Sequence, residues 1–352
     1  MKETQTTTQR RLALISRLFP AGVPKLWCPL LTHYQADGTL DRDRIAAHLR
    51  SITPYAKGLL VPGSTGDAWE MDETEQKRLL DLVPELSRPL NLHVLVGTLR
   101  TDAQQERRVI VDALGRLRGH TGLKDDLDAM VAVGVCGFVV CPPTGRDLPQ
   151  QEIRDRLAAI LELGVPTALY QLPQVTLNEM APETVAELAG TYANSYLLKD
   201  SSGADRVATS GLDFGGLYLV RGAEGDYHRW LKAGGGPYDG LLLSTANCFA
   251  GRLCRMIEYL EDGQVDEARV EIEPVEKVVA RVFELVADLP EGNAFANANK
   301  AIDHFLAHGP EASRIPPPRL HAGSTLPPHV IEATGQVLAD CGLMPQRGYL
   351  HD

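Results

Sequence analysis

Short apolar runs recur along the chain, each pair separated by enough residues for a helix. They span 24–31 (PKLWCPLL), 58–63 (GLLVPG), 90–97 (LNLHVLVG), 135–142 (VCGFVVCP), 165–172 (VPTALYQL), 195–200 (SYLLKD), 216–222 (GLYLVRG) and 240–245 (GLLLST). Most are continuous rather than alternating, the pattern of strands buried on both faces in a parallel sheet. Between them the apolar positions take helical spacing, as in DRDRIAAHLRSI, DETEQKRLLDLV, QEIRDRLAAILEL and APETVAELAGTY. Asp41, Asp72 and Thr101 stand where helix N-caps are expected. Pro182 falls near a helix start, where its missing N–H costs little. Eight such repeats predict an α/β fold of the (β/α)8 TIM-barrel type. An open doubly wound sheet is the runner-up, but no GxGxxG follows the first run.

Two stretches depart from an even repeat. The segment between the third and fourth runs is longer than one crossover needs, and 115–126 (GRLRGHTGLKDD) reads as a surface insertion. Beyond the eighth run, 251–286 and 296–309 have helical patterns, RIPPPRL reads as a stiff extended link, and PHVIEATGQVLADCG as a last helix. The predicted organisation is an N-terminal extension over 1–23, a barrel over 24–250, and a C-terminal helical extension over 251–352 packed on the barrel.

The bulk numbers narrow the function classes. A chain of 352 residues, 44% of them hydrophobic, can bury a large core. A net charge of −11 leaves no footprint for nucleic acid and no basic patch for anionic lipid. The six cysteines (Cys28, Cys136, Cys141, Cys248, Cys254 and Cys341) form no CxxC pair and read as reduced thiols of a cytoplasmic protein. No apolar run approaches the roughly 18 to 20 residues that span a bilayer, and MKETQTTTQRR lacks the apolar core of a secretory signal. The ten histidines are mostly scattered on polar segments, so neither a metal site nor a cofactor is expected.

In a (β/α)8 barrel the catalytic groups sit at the C-terminal ends of the strands. The second, fifth, sixth, seventh and eighth runs end in PGSTGD, YQLP, KDSSG, RGAEGD and STAN. Lys199 thus ends one buried run and Tyr170 the run before it, on strands expected to lie about 5 Å apart. Lysine, phenol and a hydroxyl-rich loop in one cavity suit Schiff-base formation with a 2-oxo acid. A free lysine has a pKa near 10.4, so only about one amine in 2500 is neutral at pH 7. Desolvation makes such an amine a usable nucleophile. A tyrosine can shuttle the protons of carbinolamine formation and dehydration. The N–H groups and hydroxyls of GSTG suit a substrate carboxylate.

The blocks GLLVPGSTGDAWEMDETEQKRLL, LYQLPQVT, LLKDSSG and GLLLSTAN resemble those of the dihydrodipicolinate synthase and N-acetylneuraminate lyase superfamily of class I aldolases. The resemblance runs from about Pro24 to the C-terminus and takes in ANANKAI and RIPPPRL. It implies Lys199 as the Schiff-base lysine, Tyr170 as the proton-transferring phenol, and Ser64 and Thr65 as holders of the pyruvate carboxylate, with Thr65 also in the proton path. Gly222, Glu224 and Ser244 fall where the lyases contact the distal part of a sugar acid. A small-molecule 2-oxo acid, pyruvate or a pyruvyl sugar acid, is the implied partner, and a homo-oligomer (dimer or tetramer) the implied assembly.

The chain also departs from the family pattern. In the synthase branch an arginine just before the threonine of the tyrosine motif binds the second substrate's carboxylate; here that place holds Val175. Relatives carry a relay tyrosine after the fourth strand, reaching a neighbouring subunit's site, where this chain reads CPPTG with Thr144. Gln171 replaces the usual asparagine after Tyr170. These changes argue against lysine biosynthesis unless another cation, Arg146 or Arg221, substitutes.

Each residue also has a plainer reading. Lys199 alone reads as a strand-end ion pair beside Asp200, Tyr170 as a core residue, GSTG as a turn, and Glu224 as a cap for a helix beginning near Asp226. The readings carried forward are a pyruvate-dependent aldolase or lyase acting on a 2-oxo-3-deoxy acid, a Schiff-base dehydratase of a deoxy sugar acid, 4-hydroxy-tetrahydrodipicolinate synthase proper, and a non-catalytic 2-oxo-acid-binding barrel.

Overall fold

The computed structural model describes residues 6–100 and 102–351; the candidate cap Thr101 lies outside them. Along the chain, helix α1 (Thr7–Leu18) precedes β1 (Leu26–Pro29), α2 (Arg42–Ile52), β2 (Gly58–Val61), α3 (Glu73–Ser87), β3 (His93–Gly97), α4 (Ala103–Thr121) and α5 (Asp126–Ala132). Then come β4 (Val135–Val140), α6 (Gln150–Leu161), β5 (Thr167–Gln171), α7 (Pro173–Thr176), α8 (Pro182–Thr191) and β6 (Ser195–Asp200). After these lie β7 (Tyr218–Arg221), α9 (Tyr227–Trp230) and β8 (Gly240–Leu242). Helices α10 (Ala246–Glu261), α11 (Val265–Val286), α12 (Ala294–His308) and α13 (Pro328–Asp340) follow. The strands form a closed parallel barrel in the order β1 to β8, which is the predicted fold class. Among the described residues no helix is long and apolar enough to cross a membrane.

All eight apolar runs contain a strand, with ends one to three residues inside the predicted ones at most termini. Asp41 and Asp72 cap α2 and α3 as expected; Asp72 forms a full capping box with Glu75. The N-cap of α4 is Asp102, whose side chain accepts from Gln105 N at 2.8 Å. The stretch 115–126 lies on the surface, as expected, and is largely helical. Its first half prolongs α4 to Gly122, which ends the helix in the left-handed conformation (φ 73°), and Asp125 then caps the separate helix α5.

The chain packs as two compact units. The first comprises residues up to Lys25, His93–Ala223 and Pro237–Leu242. Its core is the continuous apolar face of β3 to β7, with Leu95, Phe138, Val140, Leu169, Leu197 and Val220 all essentially inaccessible. Register is fixed across β4, β5, β6 and β7 by Phe138↔Thr167, Tyr170↔Lys199 and Lys199↔Val220. Helix α6 buries Ile153, Leu157 and Ile160 at spacings of four and three, the stripe its sequence predicts.

Helix α1 (Thr7–Leu18) attaches to this unit through the buried Leu18, an exposed Arg17–Asp128 ion pair and, above all, Arg11. Arg11 is wholly buried, and its guanidinium donates to five backbone carbonyls: Ser195 (2.6 Å), Tyr192 (3.0 Å), Phe214 (3.4 Å), Gly215 and Ala189. A buried acceptor left without its donor costs about 1–3 kcal/mol, and more when the donor is charged. Arg11→Ala is expected to destabilise the protein by about 3 kcal/mol or more, read as a lowered midpoint in urea unfolding. An unchanged midpoint would show that Arg11 contributes nothing to the fold it touches.

The second unit comprises Leu26–Leu92, Glu224–Gly236 and the chain from Leu243 onward. β1 and β2 pair through Trp27↔Gly58, and the fit of that pair requires glycine. A Cβ on Gly58 would lie 2.2 Å from the Trp27 ring. Asn247 in the first turn of α10 continues the edge of β1: its Oδ1 accepts from Leu31 N (2.9 Å) and its Nδ2 donates to Pro29 O (2.9 Å). Helix α11 buries Ala268, Ile272, Val275, Val279, Val282 and Val286 along one stripe.

Candidate active site

In the first unit, β5 and β6 hold the candidate residues Tyr170 and Lys199. Tyr170 and Lys199 are partners in the β5–β6 register and are both buried, at 2% and 4% exposure. The Lys199 Nζ lies 4.0 Å from the centroid of the Tyr170 ring. Among the described residues neither the amine nor the phenol hydroxyl has a hydrogen-bond or carboxylate partner. A lysine this buried is ordinarily paired; here the ring face is its contact.

The ion pair of the plainer reading does not form. Successive strand residues point to opposite faces, and Asp200 turns away to accept from Ser202 N (2.9 Å), with the Tyr238 hydroxyl oxygen 3.4 Å off. Burial pushes the Asp200 carboxyl above its ordinary range. Asp205, in the left-handed conformation at φ 53°, receives Tyr238 OH (2.6 Å) and two bonds from Arg221, Nε at 3.0 Å and Nη2 at 3.2 Å. Arg221 also donates to Ala223 O at 2.9 Å. Arg221 is therefore a buried cation already paired with Asp205. Arg146 and Thr144 are exposed after β4, and Val175 is half-buried in α7.

Gly222 follows β7, and its N–H donates to Asp200 O at 2.6 Å. A Cβ there would sit 2.8 Å from Lys199 Cε and 2.2 Å from Ser201 Oγ. Glycine at this place makes room for the lysine stem, a packing role the sequence did not suggest. Gln171 Oε1 accepts from Met180 N (2.7 Å), while its buried Nε2 has no hydrogen-bond partner among the described residues.

Two buried neighbours were missed from the sequence. Burial pushes the Cys141 thiol well up, with Glu106 adding to the rise and Lys199 opposing it. Burial likewise pushes the Glu106 carboxyl well up, against hydrogen bonds from the Cys141 and Arg100 N–H groups and the Thr98 hydroxyl. The available signal was an acid on the buried stripe of α4, in line with Ile110, Ala113 and Leu114.

In the second unit, Ser64, Thr65 and Gly66 form one 3-10 turn at the end of β2, and all three are buried. Ser64 Oγ accepts from Trp69 Nε1 (2.9 Å), and Ser64 O from Asn293 Nδ2 (3.0 Å). Asp67 closes the turn at φ 64°, fixed by Lys300 Nζ (2.8 Å) and Tyr34 OH (3.0 Å). Among the described residues the backbone N–H groups of Ser64 and Thr65 and the Thr65 hydroxyl make no hydrogen bond. A turn anchored on every side with those donors free can receive an oxyanion.

The structure brings Glu224 and Ser244 together in the same unit. The Glu224 carboxylate accepts from the hydroxyls of Ser244 (2.5 Å), Thr245 (2.6 Å) and Tyr227 (2.6 Å) and from Thr245 N (3.3 Å). It does not cap α9, whose N-cap Asp226 makes no side-chain cap bond. Burial and then the Glu224 charge push the Tyr227 phenol well up.

Histidines also assemble here, contrary to the scatter seen in the sequence. His33 Nε2 lies 3.0 Å from His48 Nδ1, and Asp303 is within 3.9 Å of His33 and 3.7 Å of His48. His48 Nε2 donates to Asn247 O (2.8 Å), so its Nδ1 accepts from His33. Asp303 is held by Arg44 (2.5 Å) and Tyr349 (2.9 Å). The three side chains have metal-ligand character, but the carboxylate already neutralises a guanidinium. Arg44 and Lys300 add to burial in pulling His33 well down. The trio reads as two hydrogen-bonded imidazoles packed beside the Arg44–Asp303 ion pair. His304 and His308, four apart on α12 in HFLAH, are a second pair whose HxxxH spacing is legible in the sequence and corrects the reading of the histidines as scattered.

A model of the Dihydrodipicolinate synthetase family matches residues 128–290. A 4-hydroxy-tetrahydrodipicolinate synthase from Stenotrophomonas maltophilia (strain R551-3) is 30% identical over 237 residues, covering 65% of this chain and 71% of the relative. Among solved structures, a prophage protein of the dihydrodipicolinic acid synthase family from E. coli K12, in complex with pyruvate, superposes with a TM-score of 0.70. It is 18% identical and covers 91% of this chain and 99% of that one. The 2-keto 3-deoxygluconate aldolase from Picrophilus torridus gives a TM-score of 0.62 at 20% identity, over 80% of this chain and 93% of that one. The two solved structures speak for the fold, and the curated relative together with the family match settles the membership: the chain belongs to the dihydrodipicolinate synthetase family of aldolase-type carbon–carbon lyases.

Proposed function

We propose that the protein is a class I aldolase that binds pyruvate, or the pyruvyl half of a 2-oxo-3-deoxy acid, as an imine on Lys199. The observation that carries this reading is the buried Lys199 amine, lacking a carboxylate partner and lying against the Tyr170 ring. The amine attacks the C2 carbonyl to give a carbinolamine. Tyr170, with Thr65 or a water, moves a proton to the departing hydroxyl, and water leaves. The Tyr170 phenolate left by that step takes the C4 hydroxyl proton, C4–O becomes the aldehyde carbonyl, and the C3–C4 electron pair moves into the iminium to give the enamine as the aldehyde departs. Protonation of the enamine at C3 and hydrolysis free pyruvate and the amine. The reverse sequence forms the bond.

The carboxylate-holding role of Ser64 and Thr65 rests on the family motif and on the free donors of their turn. Glu224 and Ser244 are assigned to the distal part of the substrate, Glu224 acting through the hydroxyls it orders. Six free cysteines suit a reducing cytoplasm, and the homo-oligomer of the family resemblance is retained as part of the proposal.

The protein is expected to be a poor 4-hydroxy-tetrahydrodipicolinate synthase. Val175 offers no charge to a second carboxylate, and Arg221 is committed to Asp205. A missing charged hydrogen bond costs roughly 1.5–3 kcal/mol, or about 10- to 150-fold in binding. Robust condensation of pyruvate with aspartate semialdehyde would contradict this.

The experiment for the proposal is a panel of 2-oxo-3-deoxy acids assayed for pyruvate release. Pyruvate and an aldehyde in equal amounts support the aldolase. A dehydrated 2-oxo product without pyruvate would replace it with the dehydratase reading, and binding without turnover across the panel with a non-catalytic barrel.

A further inference from the structure

The second unit contains a cavity of about 500 Å³, bounded by the segment after β1, by α2 and α12, and by the run Pro316–Pro318. Its charged lining is mostly cationic: Arg44, Lys300 and Arg319, with His304 and His308 among the histidines, against Asp41 and Asp303. Two of the cations are committed, Arg44 to Asp303 (2.5 Å) and Lys300 to Asp67 (2.8 Å). Arg319 has no carboxylate partner among the described residues. Its Nη1 donates to Gly323 O (2.5 Å), and its buried Nε has no hydrogen-bond partner among them. The acid that senses it, Asp37, is exposed and held by Thr39.

A buried guanidinium donor without an acceptor is costly, and guanidinium pairs best with a carboxylate or phosphate. His308 stands on the same wall, its ring 5.0 Å from that of His304. Burial, then His304 and Arg44, hold its pKa down to about 4, so at neutral pH it offers a ring N–H without an added charge. His304 donates its Nε2 proton to Ala312 O. The volume falls in the range of small-molecule sites, about 300–1,000 Å³, and is more than a bare inorganic anion fills. The proline run supplies an apolar surface for a carbon body.

We propose that this cavity binds a small organic anion, its oxyanion head taken by Arg319 and His308 and its carbon body lying along Pro316–Pro318. The head is a carboxylate or a phosphate, and the test separates the two. Succinate and glycerol 3-phosphate are titrated into the full-length protein by calorimetry, with the imidazole signals of His304 and His308 followed by NMR. At least one of the two is expected to bind with a shift of the His308 signal. That binding should weaken at least about 10-fold in Arg319→Gln, the loss of one charged hydrogen bond, and should persist in Lys199→Met, which keeps this test independent of the imine chemistry. His308→Gln provides a second variant should Arg319→Gln fail to fold. If neither anion moves the His308 signal, or if binding is undiminished in folded Arg319→Gln and His308→Gln, the site does not exist.

Discussion

Lys199→Met is expected to lower turnover of the true substrate by at least about 10⁴-fold, the order seen when a covalent nucleophile is removed. Methionine keeps most of the stem that packs above Gly222 and deletes only the reacting amine. The fold should not suffer. Among the described residues no carboxylate pairs with Lys199 and would be orphaned by the change; Asp200 accepts from Ser202 N instead. Removing a buried polar group that has no hydrogen-bond partner relieves its desolvation, so the melting temperature is expected to stay level or rise. A marked fall in stability would instead give Lys199 a structural role. Preserved turnover would rule out the imine.

Tyr170→Phe separates a working proton path from a relic. Imine formation must carry a proton from the amine to the leaving hydroxyl, and Thr144 stands near the place where relatives supply a second tyrosine. The burden falls on Tyr170, whose hydroxyl has no protein partner among the described residues and whose ring lies beneath the Lys199 amine. Phenylalanine keeps the ring and its packing. Turnover is expected to fall by about 10²- to 10⁴-fold, the usual contribution of a positioned acid or base. Affinity for the 2-oxo acid should change much less, since the carboxylate is assigned to Ser64 and Thr65. Turnover equal to wild type would show that the proton travels another way.

The sequence made β6 legible to the residue, because SYLLKD is bounded by Asn194 on one side and by SSG on the other. It overshot β1, where Leu30 and Leu31 are as buried as the strand but lie past its end. Burial and strand pairing coincide over most of a parallel sheet and separate at its ends. The helix extension over 115–121 was missed because Gly115 and Gly119 weaken helical propensity, yet a terminating Gly122 and a capping Asp125 were in the sequence to mark the break. Lys199, Tyr170 and the GSTG turn could be read because each is a strand-end motif with local character.

The partners of Glu224 could not be read, since Ser244 lies 20 positions on and is brought back only by the tertiary fold. The same holds for Arg11, which meets Ser195 across 184 positions. A buried arginine near the chain start looks, in sequence, like any charge on a solvated helix. His33, His48 and Asp303 lie on three separate elements, so no spacing rule could join them.

Borohydride reduction of the protein in the presence of pyruvate, followed by peptide mass mapping, tests the central assignment most directly. The account predicts one reduced pyruvate adduct per chain, on the peptide carrying Lys199, and no adduct in Lys199→Met. An unlabelled wild-type protein, or an adduct on any other lysine, would contradict it.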